Sequence, residues 1–264
     1  MSAPRARRQA AAMPSAGEGR SPRVPPRESD ARREAGVASE VLVRCEGVAR
    51  TFGTGPGSVV AVHDVICELR AGQRVAVTGP SGSGKSTLLH LMAGLDTPTA
   101  GTLTWPALGG RERLRPGPVG IVFQGPSLLA PLDVAENVAL PLLLAGEGEA
   151  QAVDAARRAL DRLGLADLAA RLPEELSGGQ AQRVAVARVL AGRPRLVLAD
   201  EPTGQLDHTV GTEVVRALVE TAAALGAALM LTTHDPAVAA LLPTRWAMAD
   251  GALATGDREV PCSA

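Results

Sequence analysis

From Val41 onward, short apolar runs alternate with longer stretches in which apolar residues recur every three or four positions. Residues 41–44, 59–62 and 65–69 are β-type runs broken by Gly and Pro, which predicts antiparallel hairpins at the start of the folded body. Residues 74–78 form an apolar run of the buried-strand type, followed at once by a Gly-rich turn and a helix-like stretch over 87–93. Further buried-strand runs at 120–123, 195–199 and 228–232 alternate with helical patterns over 151–163, 181–190 and 211–224. Strand–helix alternation of this kind predicts an α/β fold with a mostly parallel, helix-covered sheet, preceded by an antiparallel β part. No internal repeat is visible.

Residues 1–40 break the pattern. Five prolines and almost no large apolar residue leave nothing to build a core, so this segment reads as a disordered N-terminal extension. Eight arginines against five acids give it +3, leaving −4 for the rest of a chain whose net charge is −1. Weak attraction to a membrane surface or a partner is the alternative reading of this tail. It has no apolar stretch of the kind a signal peptide needs, and its acids weigh against an organelle transit peptide.

The 264 residues suffice for one large α/β domain, or one domain with a smaller lobe. A net charge near zero provides no basic field for nucleic acid, and 2% aromatics with no Tyr provide no stacking platform for single strands. Cys45, Cys67 and Cys262 are odd in number and widely spaced, which points to a reducing compartment without disulfides or a zinc site. No apolar run approaches the roughly 20 residues that span a bilayer, so a membrane role requires a partner.

Gly79, Pro80, Ser81, Gly82, Ser83, Gly84, Lys85 and Ser86 fit the G-x-x-x-x-G-K-[ST] pattern between a predicted strand and a predicted helix that takes in Thr87. Backbone N–H groups freed by glycine, and the positive end of the helix, suit a phosphate chain. Lys85 is positioned for the β- and γ-phosphates and Ser86 for magnesium. Lys85 is the one lysine among 264 residues, in a chain that otherwise uses arginine, as befits a place where a slim point charge is needed. The plain alternative is a glycine-rich turn without a ligand.

Residues 195–199 end in Asp200-Glu201. Strand alternation should send adjacent side chains to opposite sides, so the two acids are expected to serve different roles. Asp200 is the candidate magnesium holder and Glu201 the candidate base for the attacking water. Without the phosphate loop, Asp-Glu-Pro would read as an ordinary solvated turn. A second anion cradle follows the same logic: Ser177, Gly178, Gly179 and Gln180, in Leu-Ser-Gly-Gly-Gln, open another helical stretch.

Two such cradles about ninety residues apart resemble one family, the nucleotide-binding subunits of ABC transporters, whose signature is LSGGQ. The resemblance covers residues 41–256 and implies a P-loop NTPase core, an N-terminal antiparallel β subdomain and a helical subdomain over about 127–175, with residues 257–264 as a C-terminal tail. It further implies that Gln124 is the glutamine that ligates magnesium and senses a membrane partner. Gly204-Gln-Leu-Asp207 corresponds to the family's D-loop, with Asp207 across a dimer axis, and His234 to the switch histidine at the γ-phosphate. Phe52 stands where the family stacks an aromatic, usually Tyr, on adenine; a plain core position in a hairpin is its alternative. His63, His90 and His208 carry no role in this reading.

Residues 94–101, 132–138 and 201–207 look most like the macrolide-exporter and lipoprotein-releasing subfamily, from which Gln205 departs, since Asn is usual there. The resemblance implies ATP and Mg2+ as ligands and an integral membrane permease as partner. It also implies a homodimer, or a heterodimer with a related subunit, whose signature segments cap each other's γ-phosphate. No nucleic acid is implied. The location implied is cytoplasmic, peripheral on the inner face of the membrane. Leu128, Leu129 and residues 141–144 are candidates for an exposed apolar contact or for core. A regulatory ATPase that moves no cargo is the alternative function, and soluble ABC proteins of translation or repair are disfavoured by the single compact cassette.

Overall fold

A computed structural model of the chain describes residues 40–255, so most of the expected N-terminal extension and the last nine residues lie outside it. Glu40 is already tied to the body: its carbonyl accepts from Ala71 N–H at 2.9 Å and its carboxylate pairs with Arg195.

The chain runs β1 (Val41–Phe52), β2 (Val59–Arg70), β3 (Arg74–Thr78), α1 (Lys85–Met92), β4 (Ala100–Thr104), β5 (Val119–Val122), α2 (Val134–Leu144), α3 (Glu149–Arg162) and α4 (Gly178–Ala191). It continues through β6 (Leu196–Asp200), α5 (His208–Ala224), β7 (Ala228–Thr233), α6 (Pro236–Ala239), β8 (Thr244–Ala249) and β9 (Ala252–Thr255). Strands β2-β1-β4 make an antiparallel sheet, and β5-β6-β7-β3-β8-β9 make a second sheet that is parallel except at its β8–β9 edge. The α/β architecture with an antiparallel N-terminal part is therefore as the apolar pattern predicts.

Period-two alternation divides the large sheet between two cores. Ala76, Val122, Val197, Ala199, Leu229 and Leu231 face the cluster built with α2 to α6. Val75, Val77, Leu196, Leu198, Ala228 and Met230 face the cluster shared by α1 and the antiparallel sheet. Because neither face sees water, these strands read as continuous apolar runs rather than alternating ones.

Several sequence expectations need correction at their edges. The first predicted run extends to Phe52, and the second and third merge into one strand from Val59 to Arg70, because register shifts between β1 and β2 interrupt the alternation that marks a strand. Helix α1 begins at Lys85 rather than Thr87, and α5 at His208 rather than Gly211, capped by Asp207 accepting from Val210 N–H. Of the apolar candidates, Leu129, Leu143 and Leu144 are exposed, whereas Leu142 is core and Leu128 packs against it. Cys45 and Cys67 face each other across β1–β2 as buried free thiols; their mutual hydrogen bond, and then burial, push the Cys67 thiol up.

Candidate functional site

Strand β3 delivers the chain into a loop that folds against two neighbouring backbones. A Cβ on Gly79 would fall 2.0 Å from Met248 O, and one on Gly84 would fall 2.1 Å from Ala61 O. Gly84 also carries φ +97, which an L side chain resists. These glycines let the loop close down tightly ahead of α1.

Lys85 is 4% exposed and donates to Gly79 O and Pro80 O, both at 2.9 Å. An ammonium has three donors, so one remains after these two bonds, and Nζ lies 3.6 Å from Glu201 Oε1 as an ion pair. Ser83 Oγ is buried without a hydrogen-bond partner inside the same loop. An orphaned hydroxyl and a braced lysine are what an anion-binding loop presents, and this cleft is lined by Ser81, Lys85, Ser86, Thr87, Gln124 and Glu201.

The acidic pair closes the opposite wall. Asp200 ends β6 and accepts from Ser86 Oγ at 2.9 Å and from Thr232 Oγ1 at 2.7 Å, with His90 Nε2 3.9 Å from its other oxygen. Glu201 departs from the strand with φ +39, a left-handed conformation costly for a side-chain-bearing residue. Its N–H donates to Thr232 Oγ1 at 3.0 Å, and its carboxylate meets Lys85 on one oxygen and His234 Nδ1 at 3.1 Å on the other. The acids do have different partners, but the cause differs from the expected strand alternation: the alternation ends at Asp200 and the backbone turns at Glu201.

The other predicted residues divide into two groups. Gln124 lies over the start of the Gly204–Asp207 segment, since a Cβ on Gly204 would fall 2.7 Å from its amide nitrogen. Phe52, at 43% exposure, is not a core residue; the Arg50 guanidinium stacks 4.6 Å from its ring centroid and is itself held by Asp96 at 2.8 Å. By contrast, Ser177, Gly178, Gly179 and Gln180 do not line the cleft around Lys85. Ser177 and Gln180 form a reciprocal capping box at the start of α4, and Gly178 packs beside Leu206. Asp207 and His234 line a neighbouring hollow with His208 and Asp235, whose side chains approach to 3.5 Å.

Thr232 was not legible as a site residue. It reads as one more position of a buried strand, yet it is 0% exposed and bridges the two acids. A hydroxyl at the carboxyl end of a parallel strand, beside the strand that carries the acids, was the available signal.

Serine hydroxyl, carboxylate and amide oxygens are hard donors, so Ser86, Asp200 and Gln124 suit a small divalent cation rather than a soft metal.

Comparison with known proteins agrees with this chemistry. Residues 62–204 match a family model described as ABC transporter. The lipoprotein-releasing system ATP-binding protein LolD of Chromohalobacter salexigens is 41% identical over 212 residues, covering 76% of this chain and 88% of that one. The macrolide export ATP-binding/permease protein MacB of Burkholderia pseudomallei is 43% identical over 83% of this chain, which spans 34% of that longer protein. Among solved structures, the dimeric post-hydrolysis state of the ATP-binding cassette MJ0796, bound to ADP and Pi, superposes with a TM-score of 0.71 at 31% identity, covering 83% of this chain and all of that one.

Proposed function

The chain belongs to the ABC transporter ATPase family, and from that premise we propose that its cleft binds and hydrolyses MgATP as one half of a two-copy site that drives a separate membrane permease. The observation that carries the residue roles is the arrangement of Glu201 between Lys85 at 3.6 Å and His234 at 3.1 Å, beside the Ser86–Asp200 pair.

In this reading Gly79 to Thr87 wrap the triphosphate, Lys85 reaches the β- and γ-phosphates, and Phe52 stacks on the adenine face away from Arg50. Ser86, Asp200 and Gln124 would hold magnesium, which when bound neutralises phosphate charge. Glu201 accepts a proton from the attacking water, and its left-handed backbone, pinned by Thr232, keeps the carboxylate at the γ-phosphate end of the loop. His234 contacts the departing γ-phosphate and orients Glu201. Ser177, Gly178, Gly179 and Gln180 serve the other copy's nucleotide, and Asp207 lies near the dimer axis. Loss of the shared γ-phosphate charge then opens the pair, a two-state element biased by ligand.

No helix among the described residues is long and apolar enough to cross a membrane, so coupling to transport needs a membrane partner on the inner face. The exposed Leu129, Leu143 and Leu144 of the helical part are where we place that contact. Relatives named for lipoprotein release and macrolide export favour extraction or export over a purely regulatory role.

Glu201→Gln tests the assignment. Hydrolysis should slow by about 10²-fold or more while ATP binding persists, and the protein should accumulate as an ATP-bound dimer on size exclusion. Unchanged turnover would remove Glu201 from its role.

A further inference from the structure

Phe52 closes β1 with its ring 43% exposed, and one face of that ring is covered. The Arg50 guanidinium lies 4.6 Å from the ring centroid, two residues back along the strand, where alternation returns a side chain to the same face. A guanidinium is planar and weakly hydrated enough to lie against an aromatic ring, but a free one on a surface samples many other positions. Here Nε donates to Asp96 Oδ2 at 2.8 Å. At 24% and 25% exposure the two side chains are shielded from much of the water that weakens surface ion pairs.

Asp96 is itself fixed. Its Oδ1 accepts from Thr97 N–H at 2.7 Å, and its own N–H donates to His90 O at 3.3 Å, in the last turn of α1. Three residues on, Thr99 donates to Ala49 O from its N–H at 2.8 Å and from its hydroxyl at 3.1 Å. The same hydroxyl oxygen accepts from Thr51 N–H at 3.2 Å. The loop beyond α1 therefore grips β1 on both sides of Arg50. Those bonds to the backbone already secure the end of the strand, which leaves the Asp96–Arg50 pair to orient side chains rather than to hold the sheet together. Lys85 and Ser86 open the same helix at the phosphate loop. One helix thus carries the phosphate-side residues in its first turn and, just past its last, the acid that sets the ring.

We infer that Arg50 and Asp96 are positioning residues for the nucleotide base: together they occupy one face of Phe52 and present the other, already oriented, to the purine. The inference rests on the stacking role proposed for Phe52 above. A ring held in its binding orientation loses less rotamer freedom when a base arrives, and this preorganisation raises affinity without any new contact to the ligand. The pair therefore sets how much the base, as distinct from the triphosphate, contributes to binding. Phe52 has no hydroxyl to read a base edge, so what the pair governs is stacking alone.

The test is titration calorimetry on the full chain with ATP and with inorganic tripolyphosphate, both without magnesium so that neither is turned over. Arg50→Gln and Asp96→Asn should each weaken ATP binding by about 3- to 10-fold and change tripolyphosphate binding by less than about twofold. Tripolyphosphate binding also reports that the phosphate loop of each variant is folded. Because Asp96 acts through Arg50, the double variant should bind ATP no more weakly than the worse single one. Arg50→Lys, which keeps the charge but loses the planar stack, should fall between Arg50→Gln and the unaltered chain. With magnesium present, KM for ATP should rise by a similar factor in Arg50→Gln while kcat stays within about twofold. Equal weakening of both ligands would mark the pair as merely structural, and unchanged ATP affinity would leave it without a role; either result overturns the inference, as do losses that add in the double variant. Phe52→Leu distinguishes the positioning role from the stacking role. If that variant loses about tenfold in ATP affinity while the Arg50 and Asp96 variants lose nothing, stacking stands and the positioning role falls. If Phe52→Leu also binds ATP normally, both fall.

Discussion

Two glycine-rich turns open helices in this chain, and their surroundings are opposite. The turn before α1 is enclosed: Lys85 and Ser83 are buried, backbone from β2 and β8 presses on its glycines, and Asp200 and Glu201 stand across from it. The turn before α4 is open. Ser177 and Gly178 are exposed, and the Ser177 hydroxyl is engaged only with its own helix, at Gln180 N–H. The first turn meets Asp200 and Glu201 of its own chain; the second meets neither. Equal sequence chemistry therefore produces one enclosed cradle and one open turn, and in the proposed two-copy reading the open turn serves a nucleotide held by a second copy.

Lys85→Ala attacks the enclosed turn and should have the largest effect, loss of measurable ATP binding by titration calorimetry. Normal ATP affinity in that variant would contradict the cradle.

Ser177→Asp separates the two turns. Aspartate keeps the N-cap of α4 but brings a carboxylate against a triphosphate, where like charges cost several kcal/mol. ATP binding by a single copy should stay within about twofold, while hydrolysis and ATP-driven dimerisation fall by at least about 10²-fold. Equal losses of binding and hydrolysis would mean that the open turn serves its own chain.

Thr232→Val removes the hydroxyl that bridges Asp200 and Glu201. An unpaired buried N–H and a freed carboxylate should cost about 1–3 kcal/mol of stability, with kcat falling about tenfold and KM little changed.

The smallest effect belongs to the antiparallel sheet, far from either turn. Arg44 and Arg70 hold the Glu68 carboxyl below its ordinary range. A depressed folded value stabilises above the unfolded pKa and is lost as pH falls through the folded value. Glu68→Gln should therefore lower stability by less than about 1 kcal/mol at neutral pH, and by nothing below the folded value, read from thermal melts across acid pH.

How far the sequence could be read follows the same division. The buried strands and the two turns were legible, because apolar runs and glycine spacing are local signals. Strands β4, β8 and β9 were not: β4 is exposed along most of its length, and β8 and β9 interleave small or polar residues with the apolar ones. Thr232 and Arg50 were invisible for another reason. Each depends on a partner at least 31 residues away: Thr232 on Asp200 and Glu201, and Arg50, whose Phe52 ring is close, on its anchor Asp96. The left-handed backbone at Glu201 likewise has no residue-type signal, since glycine is absent there.

The claim that one chain cannot finish its own site is tested most directly by specific ATPase activity at saturating ATP across a dilution series. Activity per chain should rise with chain concentration and vanish at high dilution. A rate per chain that does not change on dilution would show a single copy completing the reaction by itself.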